Sequence, residues 1–300
     1  MTNADRLNEQ FARPGELGFF VGGHGALIAS LTSAVGSGTI AIQGAQLLTW
    51  APAGDEPVIW LSPVARFKSG KSLRGGAPVC WPWFGPHPED ASKPAHGFAR
   101  NLDWTPVEVA RVPEGTRLVL RFVPAEAELA LWPHQAELSL AVTLGERLRL
   151  DLITDNTGAE PITITQALHT YFRVGDIAEV EVLGLEGCEY IDKTAADARV
   201  RQEGPIRIDR EVNRIYLGCP GDAVIRDRSL KRLIRVSKNG STSYVVWNPW
   251  AETGAAFGDM GEDGYRQMLC VETTNAASDA VTVAPGERYT LTTEYAVEPL

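Results

Sequence analysis

Two residues of this chain end apolar strand patterns with a group that can move a proton. His169 closes the run I-T-I-T-Q-A-L-H-T-Y-F, between Leu168 and Tyr171-Phe172. A half-buried imidazole at a strand end is placed to donate a proton near neutral pH. It could equally be a core histidine bonded to a neighbouring backbone group. Glu272 follows Met268-Leu269-Cys270-Val271, which reads as a buried strand. A carboxylate beside an apolar strand is costly unless it is paired or hydrogen-bonded, and burial raises its pKa. Such placement marks a functional candidate, although structural ion pairs produce it too. Brought together, the two side chains would form an acid–base pair.

A third feature is the stretch from Arg74 to Arg100, R-G-G-A-P-V-C-W-P-W-F-G-P-H-P-E-D-A-S-K-P-A-H-G-F-A-R. Pro78, Pro82, Pro86, Pro88 and Pro94 exclude an ordinary helix or central strand. Trp81, Trp83, Phe84 and Phe98 carry too much apolar surface for a solvated linker. A rigid functional loop packed over a scaffold is expected. It carries two fixed positive charges, Arg74 and Arg100, and one imidazole, His96. Two guanidinium forks suit an anion such as a phosphate. The alternative is that both arginines pair with carboxylates and that His96 is structural. Trp81, Trp83 or Trp247 could offer a ring face to a pyranose, or belong to the core. His87 and His134 lie beside prolines and read as surface residues. His24, in G-G-H-G, reads as a turn residue, because no third glycine completes a dinucleotide fingerprint.

The elements that must position these residues are strands. T-I-A-I-Q and Q-L-L-T-W flank Gly44, and V-I-W-L follows at 58–61. V-E-V-A-R-V and R-L-V-L-R-F-V are separated by the turn triplet Pro113-Glu114-Gly115. E-L-S-L-A-V-T-L and R-L-R-L-D-L-I-T-D alternate polar and apolar residues around Gly145-Glu146, which predicts an antiparallel pair. Asn239-Gly240 reads as a hairpin turn. Strand follows strand with few helical stretches, apart from a short helix over Asn3 to Phe11 within an extension at about 1–17. A large all-β antiparallel sandwich is expected, as a single domain over residues 1–300.

The chain has 300 residues, 44% of them hydrophobic, which is ample for a sizeable core. A net charge of −10 disfavours nucleic acid or an anionic membrane surface as partner. Cys80, Cys188, Cys219 and Cys270 are scattered, without metal spacing, and suit a reducing compartment. No signal pattern opens the chain and no apolar run approaches transmembrane length. A cytoplasmic protein acting on a small molecule as a monomer is expected. There is no nucleophile elbow, no P-loop, no H-E-x-x-H and no metal-spaced Cys/His cluster.

R-G-G-x-P-x-x-W-P-W-F-G, then H-G-F-A-R, L-H-T-Y-F, Y-I-D-K, N-R-I-Y, W-N-P, G-D-M and Y-x-x-M-L-C-V-E-T occur in that order. The series resembles the hexose-6-phosphate mutarotases, also called glucose-6-phosphate 1-epimerases, a branch of the aldose 1-epimerase, or galactose mutarotase-like, group. It spans roughly residues 20 to 295. The resemblance implies a large antiparallel β-supersandwich. It implies His169 as general acid, Glu272 as general base, Arg74 and Arg100 as substrate and phosphate ligands, and His96 as a residue lining the site. Two positions depart from the pattern. Ala95 stands where the family often has Gln, which removes an amide contact. Asn213 stands where it often has Asp; it can still bond a sugar hydroxyl, but without charge.

The resemblance implies interconversion of the α and β anomers of a hexose 6-phosphate, glucose 6-phosphate first. Ionised Glu272 would take the proton from the anomeric hydroxyl and protonated His169 would give one to the ring oxygen. The ring opens to the aldehyde and recloses on the other face. Only protons move, so neither metal nor organic cofactor is expected. Two alternatives stand: an aldose 1-epimerase for unphosphorylated sugars, and a non-catalytic carbohydrate-binding β-sandwich.

Overall fold

The computed structural model describes residues 2–300. Two large antiparallel sheets dominate it. One has nine strands, in the order Ile206–Arg207, Val180–Leu183, Ala223–Asp227, Arg232–Asn239, Arg288–Pro299, Leu148–Asn156, Ala136–Leu144, Gly115–Phe122 and Thr105–Val112. The other has eight. Its path runs Ala198–Arg201, Glu189–Asp192, Val212–Leu217, Ser243–Asn248, Met268–Asn275, Gln166–Leu168 and Val79–Cys80, with Tyr171–Arg173 also paired to Met268–Asn275. A four-stranded sheet built from 17–52 and the pair Ile162–Ile164 with Val281–Val283 complete the all-β supersandwich. Among the described residues no helix is long and apolar enough to cross a membrane.

Alternation explains the large sheets. In Leu148–Asn156, Leu148, Leu150 and Leu152 are fully buried, while Arg149 turns outward and bonds Asp151. Each buried leucine contributes roughly 1.5–3 kcal/mol relative to exposure. The strand Met268–Asn275 does not alternate: all eight of its residues are buried. It lies inside the eight-stranded sheet with both faces covered, so its polar residues are buried as completely as its apolar ones.

Several local expectations change. V-I-W-L at 58–61 forms only isolated bridges, Ile59 to Phe172 and Leu61 to Gly75. The run 162–172 is broken into three short strands. Asn239-Gly240 does turn the chain, but its two arms enter different sheets and do not pair. The helix at the N-terminus covers Asn3–Phe11 and is capped by Thr2, with Asp5 completing the box. Two short helices, Glu126–Leu131 and Trp250–Ala256, had no counterpart in the sequence reading.

Candidate active site

The pairing register places the two proton-moving residues. Gln166–Leu168 and Tyr171–Arg173 both pair with Met268–Asn275, Leu168 opposite Thr273 and Tyr171 opposite Cys270. These are one continuous register, so His169 stands opposite Glu272 in the gap between the two short strands. Opposed residues of an antiparallel pair project to the same face. His169 Nδ1 and Glu272 Oε1 are 3.5 Å apart, with side chains 12% and 1% exposed. That distance is too long for a good hydrogen bond. His169 Nδ1 and Glu272 Oε2 have no partner among protein groups. Leaving such a group unpaired costs about 1–3 kcal/mol.

Burial is the main cause of both pKa shifts. It holds Glu272 well above the usual carboxylate range, opposed by the Arg100 charge. It pushes His169 well below its usual value, with the nearby Arg100 charge adding to the effect. Both shifts favour the neutral pair, with its single proton on the carboxyl rather than on the imidazole. The expected ion pair, Glu272 ionised and His169 protonated, is the other tautomer with the same number of protons.

The Arg74–Arg100 loop lies along the edge of this sheet. Its Val79–Cys80 pairs with Ala167 and Leu168, so the stretch does contain a two-residue edge strand. Gly75 and Gly76 both have positive φ, and a Cβ on either would collide with the backbone at Trp60–Leu61 or at Leu47. The two glycines seat Arg74 against the sheet. Gly97 does the same for His96, pressed onto the carbonyl of Trp81. Trp81 and Trp83 are buried, so they are core; Trp247 is half-buried and meets His169 and Tyr171 edge-on.

Arg74 and Arg100 reach one cavity of about 300 Å³, whose lining also includes Lys71, Ser72, Tyr171 and Asp259. Arg100 donates through Nη2 to the Ala95 carbonyl, 3.0 Å, and its Nε is buried without a partner. Arg74 pairs with Asp259, Nε to Oδ1 2.9 Å. Two larger cavities lie elsewhere, one of about 800 Å³ between hairpin ends and one of about 590 Å³, and none of the candidate residues lines either. His96 accepts from the Gly85 amide through Nδ1, 3.3 Å, which leaves Nε2 as the donor, and packs edge-on to His169. Burial and the Arg100 charge lower its pKa to about 3, so His96 is neutral and supplies no charge. Asn213 is further away. It sits opposite Trp247, which sits opposite Cys270, which sits opposite Tyr171, all on the same face. Three strand spacings put it roughly 14 Å from Tyr171.

The sequence reading did not single out Tyr171. Its position two residues after His169 puts it on the same face, and that spacing was the available signal. Asp259 stands in the G-D-M motif, to which no role was assigned, and Lys71 carried no comparable signal. His169, Cys270 and Glu272 present ligand atoms within 4.8 Å of one another. Ligands around a tetrahedral metal lie closer, roughly 3.3–3.8 Å apart, and the charges of Arg100 and Arg74 act on the same groups. Those two positive charges disfavour a cation at the trio.

The model of the aldose 1-epimerase family matches residues 29–296. A protein of Escherichia coli (strain K12) named "Putative glucose-6-phosphate 1-epimerase" is 41% identical over 240 residues, 80% of this chain and 80% of that one. One of the same name from Cenchrus ciliaris is 39% identical over 263 residues, 83% of this chain and 78% of the other. A crystal structure described as "a putative mutarotase (YeaD)" from Salmonella typhimurium superposes with a TM-score of 0.90 at 33% identity, covering 97% of this chain and 96% of that one. The galactose 1-epimerase of Lactobacillus acidophilus NCFM shares the fold, with a TM-score of 0.72 at 14% identity over 95% of this chain and 99% of the other.

Proposed function

The chain belongs to the aldose 1-epimerase family, and we propose that it interconverts the α and β anomers of a hexose 6-phosphate, most directly glucose 6-phosphate, with Glu272 and His169 as the acid–base pair. The carrying observation is a buried carboxylate–imidazole pair, without other protein partners, that is linked through Tyr171 to a cavity lined by two arginines. The names of the relatives point to the same substrate class. The reading takes the whole chain as one mutarotase domain.

The pair brings one proton to the reaction. Substrate hydroxyls and the ring oxygen replace the missing partners of Glu272 Oε2 and His169 Nδ1. With the proton on His169, the Glu272 carboxylate accepts the O1 proton while the imidazolium gives one to O5. The C1–O5 bond breaks and the open-chain aldehyde forms. Rotation about C1–C2 presents the other carbonyl face, and reclosure reverses both transfers. Each positioned transfer contributes about 10²–10⁴-fold. Holding the proton on the carboxyl at rest costs part of this gain, because the reactive tautomer must first form. Arg74 and Arg100 bind the phosphate away from C1, and their binding energy orients the ring over the pair. His96, as a neutral donor, and Asn213 bond sugar hydroxyls.

The test compares glucose 6-phosphate with glucose in wild type and Arg100→Ala. A charge-assisted arginine contact contributes about 1.5–3 kcal/mol, so kcat/KM for the phosphorylated sugar should fall about 10- to 100-fold and that for glucose little. Equal losses on both sugars would support an aldose 1-epimerase for unphosphorylated substrates instead.

A further inference from the structure

The run Gly258-Asp259-Met260 has no role in the chemistry above, yet its aspartate pairs with Arg74. The Arg74 guanidinium is held from three sides. Its Nε donates to Asp259 Oδ1 at 2.9 Å, its Nη1 donates to the Tyr171 hydroxyl at 3.2 Å, and its Cζ lies over the Phe257 ring, 4.4 Å from the centre. Two of these three groups come from one short segment just after the helix Trp250–Ala256. Gly258 turns that segment with positive φ. Met260 anchors it, 1% exposed in a small apolar cluster with Trp60, Tyr171 and Met268. Asp259 therefore stands on a buried footing although its own side chain is 48% exposed.

An arginine has five N–H donors. Asp259 and Tyr171 engage one each, on Nε and Nη1, and leave three on the Nη1/Nη2 edge. A guanidinium fixed at Nε cannot rotate about its long axis, so its terminal fork keeps one direction. That is the arrangement a bidentate contact to a tetrahedral oxyanion needs. We propose that Asp259 is a positioning residue that fixes the Arg74 fork for the substrate's phosphate. The inference rests on the phosphate reading above. It also predicts what Asp259 does not do: its carboxylate acts as a hydrogen-bond acceptor for Nε and not as a rival to the incoming anion. An amide oxygen of the same shape can take over the acceptor role, whereas a methyl group cannot.

The experiment measures kcat and KM for glucose 6-phosphate, and Ki for inorganic phosphate as a competitive inhibitor, in wild type, Asp259→Ala, Asp259→Asn and Arg74→Ala. In Asp259→Ala, KM and the phosphate Ki should rise together, on the order of tenfold, the scale seen when a partner that orients a binding group is removed. An unchanged kcat would show that the fold and the acid–base pair are intact. Asp259→Asn should restore wild-type values. No change in Asp259→Ala, or tighter phosphate binding in both Asp259 variants, would overturn the positioning role while the phosphate reading stands on a weakened Arg74→Ala. An Arg74→Ala enzyme with unaltered KM and Ki would overturn the phosphate reading and this inference with it.

Discussion

The Tyr171 ring lies parallel to the His169 imidazole, with centroids 5.0 Å apart and 11° between planes, while its hydroxyl accepts a hydrogen bond from Arg74. One rigid side chain thus touches both the imidazole of the acid–base pair and an arginine of the anion cavity. Trp60 also stacks on the Tyr171 ring, with centroids 5.9 Å apart. The consequence is that the two contacts of Tyr171 can be removed separately. Tyr171→Phe keeps the stack and deletes the acceptor for Arg74. One hydrogen bond contributes about 0.5–1.5 kcal/mol, so KM for a hexose 6-phosphate should rise roughly two- to tenfold with kcat nearly constant. Tyr171→Leu should lower kcat as well. Steady-state kinetics separate the two; a fall in kcat with KM intact in the Phe variant would refute this division of labour.

The shifts of the pair predict an unusual pH profile. With ordinary values, about 4.3 for Glu and 6.5 for His, the competent pair would exist only in a narrow bell between them. Here His169 is lowered and Glu272 raised, both by burial first. The one-proton state then persists from the depressed histidine value up to the elevated glutamate value. Over that range kcat/KM for an unphosphorylated sugar should be a broad plateau, because both tautomers carry the same proton count. It should fall in acid as His169 takes a second proton, and in alkali as Glu272 loses the only one. With glucose 6-phosphate, the phosphate ionisation near pH 6 is superimposed. A narrow bell centred near pH 5 would show that neither group is desolvated in solution.

The same burial makes Glu272 a liability for stability. Its folded pKa lies above the usual value of 4.5, so the folded state holds a proton that the unfolded chain releases. The carboxyl's contribution is fully present below about pH 4.5 and is lost as pH rises toward the folded value. Glu272→Gln should accordingly be more stable than wild type at pH 8, by an advantage growing about 1.4 kcal/mol per pH unit through that window. Denaturant unfolding at pH 5 and pH 8 measures it. An identical difference at both pH values would mean that the folded pKa of Glu272 is not raised.

Strand alternation made the sandwich legible, and so did the position of each proton-moving residue at the end of an apolar run. The register that opposes His169 to Glu272 was not legible, because it depends on strands a hundred residues apart. Asn239-Gly240 shows a second limit. A local turn signal fixes a chain reversal, but the choice between pairing its arms and sending them to different sheets is made by packing. The Trp250–Ala256 helix escaped notice because it begins directly after a proline and contains a glycine, Gly254, that packs near Met260 and Tyr265. Asp259 is part of the G-D-M motif, but nothing local in that polar run says which group its carboxylate meets. Its meaning comes from Arg74, 185 positions away. His96 was recognisable as a site residue, but its neutrality follows from burial beside Arg100, which only the folded chain brings about.

The central claim is that Glu272 and His169 exchange protons with O1 and O5 of a hexose 6-phosphate. Magnetisation-exchange NMR between the α and β anomers of glucose 6-phosphate reads this directly, at equilibrium and without a coupling enzyme. Wild type should raise the exchange rate far above the spontaneous one. Glu272→Gln and His169→Ala, each folded by circular dichroism, should lose several orders of magnitude of that acceleration. Exchange near the wild-type rate in either variant would contradict the mechanism.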